Sequence, residues 1–114
     1  MNTPALRLTV SFRDTLSLAQ AWMPFIRNGA LFVPTQARPT IGESAFVLVS
    51  LDALQQRHAI TGTVVWVSPA SPEPGAQTGV GIQLGDDDIS RKLVSQITDS
   101  LGNIQVSLKK TSTL

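Results

Sequence analysis

The fold class follows from the stretch Leu6-Arg7-Leu8-Thr9-Val10-Ser11-Phe12-Arg13, in which apolar and polar residues alternate. Because successive side chains of a β-strand point to opposite faces, this pattern predicts a strand with one face on a core and the other in water. Further runs rich in β-branched and aromatic residues lie at 30–33, 46–51, 58–67 and 79–84. The sequence therefore predicts a mainly β fold.

Two of these predicted strands also indicate how the sheet packs. Residues 46–51 are apolar on both faces, so we expect both faces of that strand to be covered. In the strand at 58–67, one face is shared by Ile60, Gly62, Val64 and Trp66. The aromatic residues that we assign to the core are Phe12, Phe32 and Phe46.

The connections between the strands carry clear turn signals. Asn28-Gly29 predicts a tight turn directly before the strand at 30–33, and Pro34 closes that strand. The connection Ser68–Gln77 is rich in proline and long for a hairpin loop. We expect this connection to be mobile.

Two helices are predicted from their capping residues. Asp14 is suited to cap a short helical turn that runs through Trp22 and that Pro24 ends. The acidic run Asp86-Asp87-Asp88 begins a longer helix, and Gly102 follows as its stop. The apolar stripe of this longer helix, which we expect to pack on the sheet, consists of Ile89, Leu93, Val94, Ile97 and Leu101.

The residues after Gly102 alternate again, since Ile104, Val106 and Leu108 are apolar, and they predict an edge strand before a frayed tail at 109–114. The expected architecture is a small five- to six-stranded β-barrel with one C-terminal α-helix. We expect a single domain over residues 1–114, with a core at about 6–101 and a partly flexible tail at 102–114.

The composition excludes several classes of function. Only 15% of the 114 residues are charged, against about 25% in typical soluble domains, and the net charge is +1. This balance of charges does not provide the positive surface that binds nucleic acid or anionic lipid. The chain has no cysteine and one histidine, so neither a disulfide scaffold nor a zinc site is expected. Without an apolar run of about 18 residues, we expect a cytoplasmic protein with no direct membrane insertion.

Residues that carry catalytic chemistry are scarce in this sequence. His58 stands at the start of a predicted strand, where we expect a partly exposed structural residue. The run Asp86-Asp87-Asp88 offers three carboxylates to a metal, but helix capping explains it better because adjacent residues do not share a helix face. Gly79-x-Gly81 lacks the third glycine of a phosphate-binding loop. We therefore expect a protein that is not an enzyme and that needs no cofactor.

The richest candidate for a binding surface is the stretch Ala21–Thr35, which contains Trp-Met-Pro-Phe and whose only charge is Arg27. Aromatic residues and methionine dominate the centres of protein interfaces. The hypothesis is that an exposed anchor, extended by Trp66, is formed by Trp22, Met23, Pro24 and Phe25. The alternative is that these side chains, and Trp66 with them, are ordinary core.

Three segments together resemble the PilZ domain family. They are residues 22–35 (WMPFIRNGALFVPT), 61–69 (TGTVVWVSP) and 79–84 (GVGIQL), and the resemblance spans about residues 6–101. The first segment is the most specific, and it is most similar to the stand-alone branch of the family that acts in type IV pilus assembly. The resemblance implies a small β-barrel with a helix.

Most members of the family bind cyclic di-GMP through Arg-x-x-x-Arg and Asp/Asn-x-Ser-x-x-Gly motifs. This chain has neither: no two arginines are four apart, and counting back from Gly29 puts Pro24 and Ile26 in the Asp and Ser places. The pilus branch, which also lacks both motifs, implies an adaptor in fimbrial biogenesis and twitching motility. Its implied partners are the extension ATPase PilB and the EAL-domain protein FimX. The alternative is a receptor that binds cyclic di-GMP weakly through a non-standard site.

Overall fold

Six strands form a single curled sheet in the computed structural model, which describes residues 6–69 and 77–112. The mainly β prediction is confirmed. The elements in chain order are β1 (Leu6–Phe12), α1 (Thr15–Ala21), β2 (Trp22–Met23), β3 (Ala30–Pro34), β4 (Ser44–Leu51), a 3-10 turn (Asp52–Leu54), β5 (Gln56–Val67), β6 (Gly79–Leu84) and α2 (Asp88–Ser112).

The strand order across the sheet is β1-β4-β5-β6-β3-β2. β1 pairs with β4 in parallel, and the other pairs are antiparallel. The sheet curls until β1 approaches β3, which gives a half-barrel with an inner and an outer face.

The core lies on the inner face of this half-barrel. Alternate residues of the strands point inward, and α2 packs across them with Leu93 and Ile97 fully buried. Each large apolar side chain buried in this way contributes about 1.5–3 kcal/mol. The inward-facing strand residues include Leu8, Val10, Phe12, Leu31, Val33, Val47, Val49, Leu51, Ile60, Val64, Val80, Ile82 and Leu84.

The predicted cap of α1 is confirmed. The backbone N–H of Ser17 donates to the Asp14 carboxylate at 2.8 Å, which satisfies a free amide of the first helical turn. The helix ends at Ala21, one residue earlier than predicted, because Trp22 is extended and pairs with Leu31 in the sheet. The turn that follows has positive φ at both Asn28 and Gly29, as their sequence predicts.

The predicted end of α2 is wrong. The helix continues through Gly102 to Ser112, so residues 104–108 form no edge strand and 109–112 are helical, while 113–114 lie outside the described residues. Gly102 does not take the left-handed φ that a helix-ending glycine needs. A glycine inside a helix costs only about 1 kcal/mol relative to alanine, and each further helical residue adds a hydrogen bond.

Two residues assigned to the core are exposed instead. Phe46 is 38% exposed on the outer face of β4, so the expectation that both faces of this strand are covered is wrong. Ile89 is 54% exposed in the first turn of α2. Both lie where one face of an element has no neighbour. Phe12 is buried as expected, and Phe32 is half-buried.

The long connection before β6 is anchored at its base. The buried Ser68 hydroxyl donates to the Gly79 carbonyl and accepts from the Gly79 N–H, both at 2.9 Å. Arg38 donates to the Ser68 carbonyl at 2.7 Å. Residues 70–76, which hold most of the segment expected to be mobile, lie outside the described residues.

Candidate functional site

An open apolar groove of about 500 Å³ lies on the outer face of the half-barrel. It is called the outer groove below. Its walls come from α1, β2, the turn after β2, β3 and β5. The lining residues are Gln20, Met23, Phe25, Ile26, Phe32, Val65 and Trp66.

A β-bulge in β5 brings Trp66 into the outer groove. Val64 pairs with Ile82, but Trp66 pairs with the next residue of β6, Gly81, so Val65 is the extra residue. A bulge changes the side to which the following side chains point. Trp66 therefore faces outward, and the prediction that it shares a face with Val64 is wrong. Val67 takes the inner position and packs against the core.

The bulge leaves Trp66 beside Phe32 on the outer face. Trp66 is 43% exposed, and its ring centroid lies 6.0 Å from that of Phe32 with the planes tilted by 52°. This tilted geometry is favourable for aromatic pairs. The two rings form one wall of the groove without being removed from solvent, so they remain available to a ligand.

Gly81 leaves space for two lining residues of the groove, Trp66 and Met23. A Cβ at this position would lie 3.2 Å from the Trp66 Cβ and 3.4 Å from the Met23 Cε. Because glycine has no side chain, Trp66 and Met23 approach each other across β6. Gly79, a second glycine of β6, leaves space for the Phe32 ring in the same way, since a Cβ on Gly79 would lie 2.6 Å from the Phe32 Cζ.

The turn after β2 holds Phe25 at the mouth of the groove. Phe25 is 81% exposed, and Pro24 beside it is also exposed, as the hypothesis of an exposed anchor predicts. The backbone around them is fixed: the Gly29 N–H donates to the Ile26 carbonyl at 2.7 Å. The Gln83 amide donates to the Arg27 carbonyl at 2.9 Å, which ties the turn to the outer face of β6.

Trp22 does not belong to this exposed surface. It is half-buried against the core, and its ring occupies the space that a side chain on Gly29 would need. The reason is the alternation along β2, which sends Trp22 and Met23 to opposite faces. The prediction of exposure is therefore wrong for Trp22, while Met23 lies half-buried in the groove.

His58 has a structural contact. It is 8% exposed on the inner face of β5, and its Nε2 lies 2.7 Å from the Gln96 Oε1 of α2. The expectation that it is partly exposed is wrong, because α2 covers this end of the strand. The hydrogen bond joins the helix to the sheet.

The acidic start of α2 is a helix cap. The Asp87 carboxylate accepts from the Ser90 hydroxyl at 2.9 Å and from the Ser90 N–H at 3.1 Å. These hydrogen bonds lower the pKa of Asp87, since they favour the ionised form.

Among residues 6–69 and 77–112, no three acidic or histidine side chains are grouped as a metal site would require. In the same part of the chain, neither helix has the length and hydrophobicity of a membrane span.

Several groove residues were not identified from sequence. The residue pattern assigns Phe32 to the core, and it does not mark Gln20, Ile26 or Val65 as binding residues. The sequence signal for Ile26 is its position in the apolar stretch 21–35, but the bulge at Val65 leaves no mark in the residue pattern.

Comparison with models of known protein families gives no match for this chain, and comparison with curated proteins gives none either.

Proposed function

We propose that this protein is a non-enzymatic adaptor that binds a protein partner in the outer groove, and that it acts in type IV pilus assembly and twitching motility. One observation carries the proposal: a fixed turn holds Phe25, 81% exposed, at the mouth of an apolar groove. An apolar surface of this kind loses free energy when a partner removes it from water.

The chemistry of the lining residues supports a protein ligand. Aromatic residues and methionine are enriched among the residues that dominate binding energy in protein interfaces. Covering the exposed part of a phenylalanine contributes up to about 1.5–3 kcal/mol. The bulge at Val65 and the hydrogen bond from Gln83 hold the groove open before binding, which reduces the ordering cost of association.

The resemblance to the PilZ family supplies the biological setting of the proposal. Two of the three resembling segments supply lining residues of the groove: Phe25 and Phe32 come from the first and Trp66 from the second. Gly81, from the third segment, leaves space for Trp66 and Met23. We therefore propose that the partners are the cytoplasmic extension ATPase PilB and the EAL-domain protein FimX.

The test measures binding of purified PilB and FimX by calorimetry or interferometry to the wild type, Phe25→Ser and Trp66→Ser. Each substitution is expected to weaken binding to a groove partner about 30-fold, which corresponds to a hot-spot loss of about 2 kcal/mol. The matched control is Ile89→Ser, since Ile89 is exposed outside the groove. It should bind as the wild type does. Groove variants that fold normally and bind as tightly as the control would refute the groove as the binding site.

Cyclic di-GMP provides the second arm of the same experiment. A ligand of the native state raises the midpoint of thermal unfolding. The arginines lie on separate elements: Arg38 donates to the Ser68 carbonyl, and Arg91 lines a different groove beside α2. We expect no increase in the midpoint. An increase with cyclic di-GMP, together with no binding of either protein, would favour the nucleotide receptor.

A further inference from the structure

A positively charged residue directly follows the part of the turn that lines the outer groove. Arg27 follows two lining residues, Phe25 and Ile26, and it is the single charged residue between Ala21 and Thr35. Its side chain is exposed. Its backbone is held in place because its carbonyl accepts the hydrogen bond from Gln83, which lies on the outer face of β6.

Two acidic residues follow β6 close to this turn. Asp86 lines a separate groove with Asn28 and Arg91. The Asp87 carboxylate is bound to Ser90 at the start of α2. Among the described residues that line the outer groove there is no ionised side chain, and Arg27 follows two of them directly in the chain.

Two further acidic residues in the described part of the chain, Asp14 and Glu43, are engaged locally. Asp14 accepts hydrogen bonds from Ser17 at the far end of α1. The Glu43 carboxylate accepts from the Thr40 N–H at 3.3 Å, in a turn that pairs with β5 on the side opposite β6. The outer groove therefore carries apolar anchors, and the exposed side chain of Arg27 belongs to the same turn that supplies Phe25 and Ile26 to its lining.

We propose that the segment occupying the outer groove is amphipathic and acidic: its apolar side chains pack against Phe25 and Trp66, and at least one adjacent carboxylate meets Arg27. This inference rests on the proposed function and adds the chemistry of the partner. It follows from complementarity, because a guanidinium forms its strongest hydrogen bonds with carboxylates and because charge pairs at an interface rim select the partner.

The contribution of this charge pair is expected in specificity rather than in total affinity. An exposed ion pair changes an equilibrium constant by about two- to fivefold. The same pair raises the association rate at low ionic strength and loses that effect as salt screens the charges. The apolar contacts supply most of the affinity.

The experiment selects binders from a displayed library of random 12-residue peptides, using the whole protein as the target. The targets are the wild type, Phe25→Ser, Arg27→Glu and the control Arg91→Glu, which reverses a charge outside the outer groove. Among peptides that bind the wild type and not Phe25→Ser, we expect enrichment in Asp and Glu beside aromatic or aliphatic residues. Arg27→Glu should shift the selection to Lys and Arg, and Arg91→Glu should leave it unchanged.

A synthetic peptide from the selection then gives the magnitude. Replacing its carboxylates by amides should reduce affinity for the wild type about two- to fivefold at low salt and have no effect on Arg27→Glu. Peptides that require Phe25 but show no preference for acid would overturn this inference and leave the proposed groove intact. If no selected peptide depends on Phe25, both the inference and the groove as a binding site are refuted.

Discussion

Replacing Gly29 by alanine tests which way Trp22 points. Gly29 has a φ of 81°, which a side chain makes unfavourable, and an added Cβ would fall within the Trp22 ring, with Cζ3 at 2.7 Å. Gly42 provides a matched control, because its φ is 97° and an added Cβ would meet nothing within 4 Å. The two substitutions share the backbone strain, and they differ in whether they displace Trp22.

The expected losses in the free energy of unfolding follow from these contacts. The left-handed conformation costs a non-glycine residue about 1 kcal/mol, which is the whole effect expected for Gly42→Ala. Removing a fully buried tryptophan costs about 3–5 kcal/mol, so we expect about 2 kcal/mol for Trp22→Ala, since Trp22 is half-buried. Gly29→Ala combines strain with a displaced Trp22 and should cost about 3 kcal/mol.

A double-mutant cycle separates the two contributions. Once Trp22 is alanine, the side chain at position 29 meets no ring, and only the strain of about 1 kcal/mol remains. The double variant Trp22→Ala/Gly29→Ala should therefore lose about 3 kcal/mol, instead of the 5 kcal/mol or so that addition would give. Urea unfolding followed by far-ultraviolet circular dichroism measures these values without using tryptophan fluorescence, which the substitution itself alters.

Two results would refute the reasoning. If Gly29→Ala and Gly42→Ala are equally destabilising, the ring of Trp22 does not occupy the space above Gly29. If the two single effects add to within about 0.5 kcal/mol, the residues are independent, and Trp22 is free to belong to the exposed surface.

Three further substitutions test the groove, the cap of α2 and its attachment to the sheet. Gly81→Ala places a Cβ 3.2 Å from that of Trp66, so calorimetry should show partner binding weakened about tenfold. Binding equal to wild type would mean that the space above Gly81 does not set the position of Trp66 in the groove. Asp87→Ala should lower the free energy of unfolding by about 1 kcal/mol at neutral pH. The pKa of Asp87 is lowered in the folded state, so the free energy that its carboxylate adds to folding is fully present above the unfolded pKa. This contribution is lost as the pH falls through the folded pKa. Urea unfolding from neutral to acidic pH should therefore show the stabilities of the variant and the wild type converging. Gln96→Ala removes the hydrogen-bond partner of His58, and urea unfolding should show a loss of about 1 kcal/mol, whereas an unchanged midpoint would mean that the contact adds no stability.

Features that depend only on neighbours along the chain can be read from the residue order. The alternation in Leu6–Phe12 identified a strand and its buried face, and Asp14 marked the start of a helix. Asn28-Gly29 located a turn with positive φ. These signals are local, because strand alternation, helix capping and turn conformation each involve only a few consecutive residues.

The candidate site was decided by contacts between residues far apart in the chain. The bulge that turns Trp66 outward exists only in the pairing of β5 with β6, and Trp22 points inward only because β2 pairs with β3. The parallel pairing of β1 with β4 is likewise absent from the local pattern. Composition located an apolar surface around residues 22–25. Register and packing in the folded sheet decided which of its side chains face the outer groove, since a change of one residue in register reverses the face.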